Sequence, residues 1–285
     1  MKSLLLVGLT TIAISNMSMT TIAQTETQTP QTPTSPALPL PLLQAAPLVQ
    51  ATSKLLAQQS YQIESSIELM GNLPDRQLVA NANLKTIIAA PNKVNTEITF
   101  VNRDRGLGQK YQIISNGTQV WIYDQATNQY SVSEYRQFIQ SAAAVNVGTL
   151  ANFYLRTLDR VNSNKIASRA LAKLPPDRLI GYFQRFANVD LQNMTIRNEQ
   201  IEDTFYSIYD INAVDNSYEV TTYVAPQSSN IDRIDLIGQK DGLDLLLIEQ
   251  ITSQTLPESI SAETFNFVPP DNAEQVELQI AIEPF

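Results

Sequence analysis

The chain has 285 residues, contains neither cysteine nor histidine, and carries 28 acidic against 19 basic residues for a net charge of −9. These absences exclude disulfides, zinc ribbons, and Ser-His-Asp or Cys-His catalysis. The acidic balance gives little support to a surface that binds nucleic acid phosphates. A hydrophobic content of 43% and this length indicate one or two globular domains.

The first residues have the pattern of an export signal. Lys2 precedes an apolar run from Leu4 to Ile14, and a small-residue site ends at Ala23. The run is shorter than the ~20 residues that a membrane-spanning helix needs. We therefore predict a signal peptide over residues 1–23, cleaved near Ala23, and a periplasmic location. The alternatives are a buried N-terminal helix or a retained anchor.

Residues 24–45 are rich in proline, threonine and glutamine, and their only charge is Glu26. Such a segment cannot build a core, so we predict a disordered tether. The folded domain is predicted over residues 46–285. Pro47 suits the first position of a helix that ends near Gln59.

Alternation of apolar and polar residues then predicts about ten or eleven strands in two blocks, which are separated by helical spacing between Ser133 and Asn188. The last of these predicted strands is Thr264–Val268. Consecutive strands joined by short turns predict antiparallel pairing. Ser133 is a candidate N-cap for the first of the inserted helices, Thr149 precedes a second, and Pro175-Pro176 opens a third that carries Leu179. The helices are expected to cover one face or one mouth of the sheet.

The clearest local signal is a hairpin around Asn116-Gly117. An Asn-Gly pair between apolar strands favours a two-residue type I′ turn. This turn would place Ile113 opposite Val120. It would also put Trp121 on the face opposite to Ile113, since neighbouring strand residues alternate between faces.

Several segments together resemble the LolA-like proteins, which include periplasmic lipoprotein carriers. The resemblance rests on Ile114–Asp124 followed by Asn128-Gln129-Tyr130, on the helix before Tyr61, on Pro91-x-Lys93, and on the ending Phe265–Ala273. It implies an α+β fold, in which a curved antiparallel sheet forms an incomplete β-barrel around an apolar cavity under a helical lid. It also implies binding of acyl chains without catalysis.

The chain departs from the pattern of the lipoprotein carriers at two places. Val94 and Asn95 stand where an aromatic and a basic residue are usual, and the helical insertion is long. Both departures bear on lipoprotein as the specific cargo rather than on the fold.

The apolar residues of the strands and helices are the candidate ligand-binding residues of such a cavity and its lid. The same spacing also fits an ordinary packed core, so both roles stay open. No catalytic residue, metal site or cofactor is predicted. The candidates are Ile98, Phe100, Tyr111, Ile113, Val120, Ile122, Phe153, Phe183 and Phe186.

The sequence therefore predicts an exported, non-enzymatic carrier that binds a lipid, acyl chain or lipoprotein. The alternative is an envelope protein-interaction or lipid-sensing module with no transport role. A hydrolase that uses only carboxylates is a third hypothesis. A net charge that becomes −10 once Lys2 is removed predicts transient membrane contact at most, or contact through an envelope protein partner.

Overall fold

The computed structural model describes residues 44–72, 77–101, 108–163, 173–175, 178–179, 181, 189–214, 218–240, 243–257 and 259–277. The predicted signal peptide, the tether up to residue 43, Phe183 and Phe186 lie outside these ranges. Among the described residues, no helix combines the length and the apolar character needed to cross a membrane.

The main element of the described structure is one curved, open sheet of 12 strands. Neighbouring strands pair antiparallel throughout, except for the parallel pair formed by the last, two-residue strand. In spatial order the strands run β12-β6-β5-β4-β3-β2-β1-β11-β10-β9-β8-β7. The strands are β1 Ser60–Asn72, β2 Gln77–Ala89, β3 Lys93–Phe100, β4 Lys110–Asn116, β5 Gln119–Asp124, β6 Gln129–Glu134, β7 Val189–Ile201, β8 Thr204–Ala213, β9 Tyr218–Ala225, β10 Asn230–Lys240, β11 Leu243–Thr255 and β12 Glu274–Gln275.

This architecture confirms the predicted α+β class with a curved antiparallel sheet. The two strand blocks join at the centre, where β1 pairs with β11. The strands at the two ends of the described order, β12 and β7, are not paired with each other, so the sheet stays open as an incomplete barrel.

Helices lie on one face of this sheet, which we call the inner face. The first helix, α1, spans Ala46–Ala57 and carries a proline in its first turn, as the sequence predicts. The lid consists of α2 (Tyr135–Gln140), a 3₁₀ helix (Ala142–Val147) and α3 (Thr149–Ser163), which follow one another directly after β6. Their buried residues and the inner-face side chains of the strands form one hydrophobic core.

The β4–β5 hairpin differs from its predicted register by two residues. Ile113 pairs with Ile122 rather than with Val120. The two-residue loop is Gly117-Thr118, and Gly117 has φ +100°. Asn116 is the residue before this loop, and its side-chain oxygen accepts hydrogen bonds of 2.9 Å from the backbone N–H groups of Thr118 and Gln119.

A shift of two residues leaves every side chain on its predicted face, because strand side chains alternate with a period of two. Ile113, Val120 and Ile122 accordingly share the buried inner face. The type I′ prediction was wrong because Asn116 acts as a side-chain acceptor and does not adopt the left-handed backbone conformation.

Two further local predictions were wrong. Ser133 lies within β6 and does not cap a helix; Glu134 holds the N-cap position of α2 without a side-chain hydrogen bond. The segment 264–268, predicted as a strand, begins at the end of a 3₁₀ helix, Ala262–Phe265, and forms no strand afterwards. Pro269 and Pro270 follow at once, and proline cannot donate a ladder hydrogen bond.

The C-terminal segment instead covers the outer face of the sheet through its side chains. The ring of Phe267 packs against Tyr130, Tyr123 and Trp121, with centroids at 5.4, 5.7 and 6.2 Å. Asn95 Nδ2 donates a hydrogen bond of 2.7 Å to the carbonyl of Thr264. Trp121 therefore lies on the outer face of the sheet and packs against Phe267 there.

Candidate binding face beneath the helical lid

The structure brings most of the candidate binding residues together on the inner face of β3, β4 and β5. Ile113 and Val120 are fully buried, and Ile98 is 2% exposed. The rings of Tyr111 and Phe100 also pack edge to face, with their centroids 5.7 Å apart. In the closed arrangement these residues form a packed core with the lid helices.

Helix α3 contributes an apolar stripe to the same core. Leu150, Tyr154, Leu155 and Leu158 follow helical spacing and are at most 1% exposed. Phe153, predicted as a lid residue, is half-buried at the border of the core. Leu179, from the third predicted helix, is also fully buried in the same core.

The end of α3 that faces the first helix is held by Tyr154. Its hydroxyl donates a hydrogen bond of 2.6 Å to the carbonyl of Gln58, just after α1. Its ring meets that of Tyr61 at 6.4 Å in an edge-to-face arrangement. Burial raises the pKa of the Tyr154 phenol, so this group stays a hydrogen-bond donor at physiological pH.

A second set of polar contacts holds the junction between the 3₁₀ helix and α3. Thr86 Oγ1 donates a hydrogen bond of 3.0 Å to the carbonyl of Val147 and lies 3.1 Å from Thr96 Oγ1. Glu249, on β11, accepts a hydrogen bond of 3.0 Å from the backbone N–H of Leu150. The other carboxylate oxygen of Glu249 accepts a hydrogen bond of 2.8 Å from Ser65 Oγ.

Glu249 is the only charged residue among the buried residues of the described structure, with 1% exposure. Burial raises the pKa of its carboxyl group, whereas the hydrogen bonds from Leu150, Ser65 and Thr149 lower this pKa. No charged residue contributes to this shift. In its apolar surroundings the carboxyl group is therefore stabilised by hydrogen-bond donors and not by a charged partner.

Glu249 was not among the candidate residues derived from the sequence, although a signal was available. In β11 it lies between Leu247 and Ile251 on the same face of the strand, and both neighbours are buried. A single acidic residue on the apolar side of a strand indicates a specific partner, because burial of an unpaired charge is costly.

Two surface depressions lie on the outer face, away from the lid. One of about 290 Å³ is bounded by the C-terminal segment and by Asn95, Gln112, Ile114 and Tyr123. The other, of about 340 Å³, is a groove across the central strands that includes Glu64, Lys85 and Glu97. Neither depression is lined by the candidate binding residues of the inner face.

Within the described ranges, no group of three or more acidic, histidine or cysteine residues could hold a metal ion. Glu249 has no nearby acidic or basic partner that contributes to its pKa. The inner face therefore offers apolar contact and hydrogen bonding.

No protein-family model matches the chain, and no curated protein matches it. Solved structures similar to it include the LolA superfamily protein NE2245 from Nitrosomonas europaea, with 13% identity, coverage of 78% of this chain and 97% of that chain, and a TM-score of 0.32. Another is LprF from Mycobacterium bovis, with 9% identity, coverage of 77% and 96%, and a TM-score of 0.39. A third is an uncharacterized conserved protein from Thermus thermophilus, with 10% identity, coverage of 82% and 99%, and a TM-score of 0.40.

A protein named as a LolA superfamily member is thus among the solved structures to which this chain is similar.

Proposed function

We propose that this chain is an exported, non-enzymatic carrier that binds a lipid or acyl chain between the inner face of the sheet and the lid. The observation that supports this most directly is that the helices of one insertion, residues 135–163, form one hydrophobic core with the apolar inner face of the sheet. A cover made of one continuous segment can move away without breaking the strand ladder.

Binding of an acyl chain and closure of the lid use the same apolar surface. Burying an acyl chain of about sixteen carbons is worth roughly 12 kcal/mol, at ~0.8 kcal/mol per methylene. Exposing the four buried residues of the α3 stripe alone costs roughly 6–12 kcal/mol, at ~1.5–3 kcal/mol each, and Phe138, Ile139 and Val147 of the lid are buried as well. In the carrier, ligand contacts therefore replace part of the lid contacts, and the packed arrangement is the closed, unloaded state.

In this proposal the predicted residues of the inner face contact the acyl chain once the lid has moved. Ile98, Phe100, Tyr111, Ile113, Val120 and Ile122 form the floor, and Phe153 belongs to the lid. Phe183 and Phe186 remain candidate lid residues on the sequence pattern alone. Signal-peptide cleavage near Ala23 and a periplasmic location belong to the same proposal, as does the tether over residues 24–45.

The absence of cysteine makes lid movement directly measurable. Ala144→Cys places a thiol in the 3₁₀ helix of the lid at a fully buried position. Its maleimide labelling should accelerate when a long-chain lipid is added. Ala225→Cys, buried on β9, controls for global unfolding and should not respond. Unchanged labelling at position 144, with no lipid recovered from the protein purified out of the cell envelope, would contradict the carrier.

The second candidate is an envelope protein-interaction or lipid-sensing module. The observation that favours it is the tight packing of the inner face, which needs no ligand to be complete in the closed state. Stoichiometric copurification of an envelope protein with lipid-free chain would favour this candidate over the carrier.

A further inference from the structure

The buried carboxylate of Glu249 lies on the same side of the sheet as the proposed binding floor. Ile67 of β1 and Ile234 of β10 are its neighbours on the two adjacent strands. Directly opposite residues of neighbouring strands share a face, and Ile234 is buried there. A ligand that enters under the lid therefore meets one carboxylate, Glu249, in an otherwise apolar and hydroxyl-bearing surface.

The lid and the sheet both supply hydrogen-bond donors to this carboxylate. Ser65 belongs to the sheet and stays with Glu249 when the lid moves, whereas Leu150 and Thr149 belong to α3 and leave with it. Gly148 also covers the group, since a Cβ atom there would lie 2.7 Å from Oε1. Opening of the lid thus removes the donor from Oε2 and uncovers both oxygens.

An acceptor that loses its donor inside an apolar site is costly unless a new donor arrives. We propose, on the basis of the carrier function above, that Glu249 is the headgroup-binding residue and selects acyl lipids with a hydrogen-bond donor next to the chain. A hydroxyl or amide N–H of the ligand would take the place of the Leu150 N–H. Esters without a donor cannot do this, and a free fatty acid would bring a second carboxylate beside Glu249.

Three probes with the same acyl chain separate these cases: a monoacylglycerol, which carries hydroxyl donors, the fatty acid methyl ester, which carries none, and the fatty acid anion at neutral pH. Each would be titrated by displacement of an environment-sensitive apolar dye. The monoacylglycerol should bind the wild-type protein about tenfold or more tightly than the methyl ester, which is the size expected for one unmet hydrogen bond. The fatty acid should also bind more weakly than the monoacylglycerol.

Two substitutions of Glu249 test whether this residue causes the preference for the monoacylglycerol. Glu249→Leu removes the acceptor, and Glu249→Gln keeps the shape while adding an N–H donor that an ester carbonyl can use. Both should reduce the preference for monoacylglycerol over methyl ester by about tenfold. The same two lipids are compared on every protein. The difference in solubility between the lipids therefore does not affect the change in preference from wild type to variant. Glu97→Gln, exposed on the outer face of β3, is the matched control and should keep the wild-type preference.

The outcomes separate this inference from the carrier function. If all three lipids bind but both Glu249 variants keep the wild-type preference, the headgroup role is refuted and the carrier stands. If a methyl ester binds the wild-type protein as well as the monoacylglycerol does, the headgroup role is refuted as well. If none of the lipids displaces the dye or binds, both proposals are refuted together.

Discussion

Gly148 lies directly against the carboxylate of Glu249, so that a Cβ atom built on Gly148 would stand 2.7 Å from Oε1. The glycine also has φ +97°, a backbone conformation that side chains with a Cβ rarely adopt. The contact joins the lid to the centre of the sheet. A residue without a side chain is therefore required where the 3₁₀ helix passes into α3.

Gly148→Ala should consequently destabilise the protein by about 1–3 kcal/mol, through the strained backbone alone, and further through the clash with Glu249. Urea denaturation at neutral pH would measure the loss. Gly238→Ala is the matched control, because nothing lies within 4 Å of its added Cβ. In the double variant Gly148→Ala/Glu249→Ala the clash disappears, so the two losses should not add. Additive losses would show that the two residues are not in contact.

The second prediction concerns the pH dependence of Glu249. Its folded pKa is raised above the ordinary value of 4.5 by burial. The stability that this raised pKa contributes is present below pH 4.5 and is lost as the pH rises through the folded pKa. The free energy of unfolding of Glu249→Gln should therefore improve relative to wild type as the pH increases. The expected gain is about 1.4 kcal/mol for each pH unit that separates the folded pKa from the unfolded pKa.

Chemical denaturation of both proteins between acid and neutral pH measures this difference. Comparison at each pH cancels the titration of all other groups. Glu97→Gln, at an exposed position on the outer face of β3, is the control for the effect of a Glu-to-Gln substitution as such. A Glu249→Gln curve parallel to wild type across the range would mean that the carboxyl group is not desolvated in the folded protein.

The third prediction concerns the hydrogen bond between Tyr154 and the carbonyl of Gln58, at 2.6 Å. Tyr154→Phe keeps the ring in the core but leaves that carbonyl without its donor. We expect a loss of about 1–2 kcal/mol in the free energy of unfolding. Faster maleimide labelling of Ala144→Cys in this background would show that the bond holds the lid closed.

Tyr130→Phe is the control for the tyrosine substitution. Its hydroxyl makes an exposed contact of 3.5 Å with Gln275, and its ring packs on Phe267 on the outer face, opposite to the lid. Stability and labelling should stay within experimental error of wild type. Equal effects of the two substitutions would contradict a specific role for Tyr154.

The fourth prediction concerns the outer face. Phe267→Ala removes the ring that packs on Trp121, Tyr123 and Tyr130, and should cost about 2 kcal/mol because the ring is only half-buried. Trp121 is the only tryptophan of the chain, so its fluorescence should shift to longer wavelength as water reaches it. Val268→Ala, at a position that is 79% exposed, should change neither quantity. A normal Trp121 spectrum in Phe267→Ala would contradict the packing of the C-terminal segment on this face.

The sequence alone determined which side chains share a face of the sheet. Ile98, Ile113, Val120 and Ile122 were assigned to one face by alternation, and all four are buried there. This assignment is correct although the register of the β4–β5 hairpin was predicted wrongly, because a shift of two residues leaves each side chain on the same face. Local sequence signals likewise predicted the start of α1 next to Pro47 and the apolar stripe of α3.

Only the tertiary structure decided what covers those faces. Glu249 and Leu150 are 99 residues apart in the chain, and their hydrogen bond depends on the pairing of β1 with β11 and on the return of the lid over that junction. The packing of Phe267 on Trp121 is equally non-local. The physical reason is that periodicity reports whether a side chain is buried, whereas its partner is set by distant segments that meet only when the whole sheet has formed.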